Sequence, residues 1–97
     1  MAEEVSFDQL RQTLEAGGGI RCRELQKLLE SLGFEVREGR KQGHRVVVHP
    51  GLAAFTSASY SCGHGTNPEI KRPYIKNIIK IMHRYESELR HYVGENQ

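Results

Sequence analysis

The stretch RKQGHRVVVHPG, from Arg40 to Gly51, sets an imidazole among cations. Arg37, Arg40, Lys41 and Arg45 flank Gly43 and His44 along the chain. Histidine is the side chain type that takes and returns a proton near neutrality. Lys and Arg neutralise phosphates, and a glycine lets a backbone N–H come close to one. These residue types suit removal of a proton from a ribose 2′-OH. Its oxygen would then attack the neighbouring phosphate while the cations stabilise the growing charge. The plainer alternative is a solvated hairpin tip, with a histidine capping the entrance to a strand.

The other histidines offer less. Residues five apart in a strand face opposite sides and lie about 16 Å apart. His44 and His49 therefore cannot form an acid–base pair across one extended strand, and His49, before Pro50, reads as structural. His64 lies in CGHG, glycine on each side, where a substrate could reach it. It could equally be an ordinary polar loop residue. His44, His49, Cys62 and His64 are acceptable zinc ligands, but their spacing fits no strong rule, and no metal is expected. No glycine-rich phosphate loop precedes a helix, so no nucleotide cofactor is expected either.

A second set of cations opens the last helical segment. Lys71 and Arg72 stand at its start, in KRP, where a helix dipole favours anions. Arg72, Lys76, Lys80 and Arg84 recur every four residues. A solvated helix face carries the same pattern.

The whole chain limits what these groups can be attached to. Its 97 residues suffice for one domain with a modest core. At 27% charged and 37% hydrophobic it reads as a folded globule. Net charge is only +2, but residues 1–19 hold four acids and one base, leaving 13 bases against 8 acids beyond. The larger part thus leans towards a polyanionic partner. No apolar run suggests a membrane span, and the acidic start MAEEVSFDQL is no secretory signal, so a cytoplasmic location is expected. Two cysteines are too few for a disulfide framework, and Cys22 reads as a small core residue.

The positioning elements follow from periodicity. SFDQLRQTLEA, with Ser6 as N-cap and Phe7, Leu10 and Leu14 as an apolar stripe, predicts a first helix. Gly17–Gly19 cannot continue it and read as a joint. The expected division is a helix and joint over 1–19 and a domain over 20–97. In RCRELQKLLESLGF, Cys22, Leu25, Leu28, Leu29 and Leu32 share a face, and Gly33 is the stop. FEVRE, HRVVVH and AFTSASYS (54–61) predict three strands in an antiparallel meander. A single closing helix is expected from Pro73 to Val93. The fold class is α+β: an α-β-β-β-α domain with an extra N-terminal helix, both core helices on one face of the sheet.

RELQKLLESLGFEV, QGHRVVVHP and CGHGTNPEIKRPYIKNIIKIM carry a further signal. From Arg21 to Tyr92 the chain resembles the HicA family of bacterial toxins, small mRNA interferases with a double-stranded-RNA-binding-like fold. The resemblance implies a metal-independent endoribonuclease acting on mRNA. His44 would match the family's catalytic histidine at the second strand, as general base and acid. Arg40, Lys41 and Arg45 would hold phosphate, and a HicB-type antitoxin would cover this face. The chain departs from the family in having Gln42-Gly43-His44 in place of Gly-Ser-His, and Cys62 where a proline usually precedes the second histidine. A non-catalytic RNA-binding or regulatory domain of the same fold is the alternative. A protein-interaction module using the N-terminal helix is a third.

Overall fold

The computed structural model describes residues 7–16, 19–63 and 65–95, with side chains as far as Tyr92. Its elements are α1 (Phe7–Ala16), α2 (Cys22–Ser31), β1 (Glu35–Glu38), β2 (His44–Val48), β3 (Ala58–Ser61), α3 (Arg72–Arg84) and α4 (Glu86–Glu95). The strands form one antiparallel sheet in the order β1-β2-β3. This is a small α+β domain with, among the described residues, four helices and a three-stranded sheet.

Helix α2 ends as the sequence requires. Gly33 takes φ +93°, its N–H donates to Glu30 O at 3.0 Å, and the Phe34 N–H donates to Leu29 O at 3.2 Å. This paired closure needs a left-handed residue at Gly33. A β-carbon there would also sit 2.8 Å from His49 Nε2. Phe34 then turns into the core and β1 begins.

Register decides the faces of the sheet. Val36 pairs with Val47, Val47 with Ala58, and Arg45 with Tyr60. Val47 and Tyr60 are buried with Leu25, Leu29, Ile75 and Ile78, so the helices cover this face. Alternation puts His44, Val46 and Val48 on the opposite, uncovered face, with Arg37 and Ser61 beside them.

Three expectations need correction. The third strand is shorter than 54–61: β3 starts at Ala58, and residues 50–57 form turns and loop, with Leu52 buried and Phe55 packed edge-on against Phe34. The closing helix is not single. It breaks at Tyr85 (φ −110°, ψ 23°), whose hydroxyl donates to Ala54 O at 3.3 Å and whose ring meets Phe55. Cys22 is buried, but as half of a disulfide with Cys62. A spacing of 40 residues hides that pair from any local pattern.

The proposed N-cap Ser6 and the joint residues Gly17 and Gly18 lie outside the described residues. Helix α1 does not stand off from the rest. Phe7, Leu10 and Leu14 belong to the same buried cluster as α2, α3 and α4.

Candidate active site at the hairpin tip

The turn that presents His44 is built on two glycines with different tasks. Residues 40–43 connect β1 to β2, closed by the Gly39 N–H donating to His44 O at 2.8 Å and the His44 N–H donating to Lys41 O at 3.0 Å. Gly43 has φ +82°, a left-handed conformation that favours glycine. Its carbonyl accepts the Cys62 N–H at 2.7 Å, and a β-carbon on it would meet Gly63 O at 2.8 Å. Turn shape and close approach to the 62–65 loop both demand glycine here.

Gly39 has no such backbone requirement, since its φ is not positive. A β-carbon at Gly39 would overlap the His44 ring, standing 2.9 Å from Cγ and closer still to Cδ2. The half-buried imidazole therefore lies in the space where residue 39 would otherwise carry a side chain. It opens on a depression of about 490 Å³ lined by Gly39, Arg40, Lys41, His44 and Val46. Arg40 and Lys41 are exposed, and among the described residues they form no ion pair. The His44 ring has no hydrogen-bond partner among the described residues.

The expected cations do not all gather here. Arg45 is on the opposite face from His44, half-buried across from Tyr60. It lines a different depression, of about 240 Å³, together with Glu38, Gln42 and Gly43. A phosphate held by Arg45 would thus be separated by the hairpin from the imidazole. Of the cations, Arg40 and Lys41 line both hollows, as does Gly39. Arg37 shares His44's face, but its guanidinium donates to Glu35 Oε1 at 2.7 Å, which offsets its charge.

Lys71 and Arg72 arrive at the same end of the domain by another route. Ser61 pairs with His44, and beyond it Cys62 is bonded to Cys22 at the start of α2. The Cys22 N–H donates to Pro68 O at 2.9 Å, Arg23 N to Asn67 Oδ1 at 3.0 Å, and Ile70 N to Ile20 O at 2.8 Å. These bonds fold residues 67–70 against α2 and start α3 there, with Pro73 in its first turn. Lys71 lines one hollow with Ser61 and Tyr74 and another with Arg72. Lys76 is exposed one turn further along α3. His64 lies outside the described residues.

The remaining histidine expectation stands up. His49 is buried, its Nε2 is 2.9 Å from Leu32 O, and its Nδ1 accepts the Gly51 N–H at 3.0 Å. With an amide donor on Nδ1, the proton belongs on Nε2, donating to the Leu32 carbonyl. Nε2 ties β2 to the end of α2 and Nδ1 holds the turn that follows β2, which leaves neither nitrogen for chemistry.

Sequence reasoning missed Gly39, the disulfide and Tyr60. Tyr60 is buried and its hydroxyl has no partner among the described residues. Burial pushes its phenol up to about 12, while the charge of Arg45 pulls it down and that of Glu30 adds to the rise. No group of three or more metal-ligating side chains occurs among the described residues. No described helix is long and apolar enough to cross a membrane.

The fold and site thus define a small α+β domain with a histidine and, among the described residues, unpaired cations at one end of its sheet. Comparison of the chain with protein-family models, curated proteins and solved structures finds no match.

Proposed function

We propose that the protein is a metal-independent endoribonuclease with a double-stranded-RNA-binding-like fold, of the HicA mRNA interferase type. The observation that carries this reading is the placement of His44. Its imidazole, without a hydrogen-bond partner among the described residues, opens on a hollow flanked by Arg40 and Lys41, which form no ion pair among them. In the reaction, His44 takes the proton of a ribose 2′-OH. O2′ bonds to phosphorus, the bond to the 5′-oxygen breaks, and that oxygen leaves with the proton that His44 returns, giving a 2′,3′-cyclic phosphate and a 5′-OH. Arg40 and Lys41 stabilise the charge on the phosphate. Lys71, Arg72 and Lys76 extend the cationic surface for the rest of an mRNA strand. A HicB-type antitoxin that covers the uncovered sheet face would block this site.

A second reading also has an observation behind it. Among the described residues the hollow beside His44 is lined by no second histidine and no carboxylate, which suits an RNA-binding domain without cleavage. Purified protein incubated with RNA in chelator, wild type against His44→Ala, separates the two. The nuclease reading expects cleavage by the wild type alone, with both proteins showing the same circular dichroism melt. Equal cleavage by the mutant removes His44 from the chemistry. Binding without cleavage by either protein favours the second reading.

A further inference from the structure

We propose that Gly39 is the positioning residue of the His44 site: its missing side chain is the seat that holds the imidazole over the Arg40–Lys41–Val46 hollow. This rests on the nuclease reading for its consequence, but not for its geometry.

Gly39 and His44 are directly opposed across the hairpin, joined by the 2.8 Å bond from Gly39 N–H to His44 O. Cross-strand partners on one face normally fill the space between them with two side chains. Here one ring fills it, and a β-carbon at residue 39 would stand 2.9 Å from His44 Cγ and 3.2 Å from its Cβ. Neither atom is the far end of a flexible chain. A methyl group at residue 39 must therefore turn the ring to another χ1 well. The other neighbour on that face is Ser61 of β3, so the displaced ring leaves the cations for the Ser61 side or for solvent. The backbone of Gly39 makes no competing demand, because its φ lies outside the left-handed region. Space for the ring is then the structural reason for a glycine.

Gly39→Ala tests this with two readouts. In the wild type, nuclear Overhauser contacts between the His44 ring protons and the Gly39 α-protons are expected. In the variant the His44 ring resonances should move and new contacts to Ser61 or to none should appear, with the amide fingerprint elsewhere retained. RNA cleavage should fall about 10- to 100-fold in kcat with KM little changed, the size expected when a reacting group is misplaced by about an ångström. Wild-type protein lacking the ring-to-Gly39 contacts overturns the proposal, whether or not the variant folds. So does a variant with unmoved ring resonances. If the ring moves but neither protein cleaves RNA, the seat stands and the nuclease reading alone fails.

Discussion

The Cys62 N–H donates to the Gly43 carbonyl at 2.7 Å, which ties the residue before His44 to a cysteine bonded to the start of α2. Cross-linking residues 40 apart removes chain entropy from the unfolded state worth about 4 kcal/mol. Reduction, or Cys22→Ser with Cys62→Ser, should lower stability by that order in a denaturant titration. The site should survive, because the bonds from Cys22 N to Pro68 O and from Ile70 N to Ile20 O also hold the loop. A loss of RNA affinity on reduction, in protein that is still folded, would show that the disulfide shapes the site directly. A reducing cytoplasm would keep the pair as thiols, so both forms bear on a cytoplasmic role.

The cations should divide by location. Replacing Arg40 and Lys41 together by Ala should weaken RNA binding and reduce its log–log salt slope by roughly 1 to 1.5, at about 0.7 per lost phosphate contact. Lys76→Ala with Lys80→Ala should do less, since those side chains lie on an exposed helix flank. Arg45→Ala should also do less, because Arg45 is on the other side of the hairpin from His44. If the helix pair dominates and the turn pair is silent, RNA lies along α3, away from the imidazole.

The parts of this molecule that depend on nearest neighbours were legible in the sequence. Gly33 as a helix stop and the structural His49 each follow from local backbone rules. Arg45 was misplaced because charge clustering along the chain ignores strand alternation, which sends His44 and Arg45 to opposite faces. The alternation was readable, but only register against Tyr60 says which face is covered. Gly39 looked like one more turn glycine. Its role depends on the ring across the hairpin, a contact with no signature in spacing. The Tyr85 break was hidden because it lacks Pro or Gly and is held by a bond to Ala54 in a distant loop.

Tyr60 gives a prediction with a clear sign in pH. Its unpartnered hydroxyl is buried, so Tyr60→Phe should stabilise the protein by about 1 kcal/mol, relieving part of a desolvation cost. Burial raises its phenol from 10.0 to about 12. Between those values the unfolded chain has lost the proton while the folded one keeps it. Stability therefore holds below pH 10, falls as pH rises between those values and levels off past about 12. Tyrosinate absorbance should show one of the four tyrosines ionising late, and that step should vanish in Tyr60→Phe. A variant that loses stability at neutral pH would mean the hydroxyl has a partner, such as a buried water.

Helix α1 should prove inseparable from the core. Leu10 is fully buried, and Phe7 and Leu14 are nearly so. Leu10→Ala should cost about 2–5 kcal/mol, the range for a truncated core leucine, and unfolding should remain a single transition. The rim is different in kind. Arg90 bonds both carboxylate oxygens of Asp8, at 2.7 and 3.3 Å, and lies over the Phe7 ring at 4.6 Å. The Arg90 hydrogen bond holds the Asp8 carboxyl below its usual value. Its stabilisation is present above the unfolded carboxyl value and is lost as pH falls through the lowered one. The Asp8 carboxylate is half exposed and screened by solvent, so Asp8→Asn should change stability far less than Leu10→Ala and should mute only the acid limb. Two unfolding transitions, or a Leu10→Ala variant as stable as the wild type, would make α1 a peripheral arm and restore the domain boundary at the glycine joint.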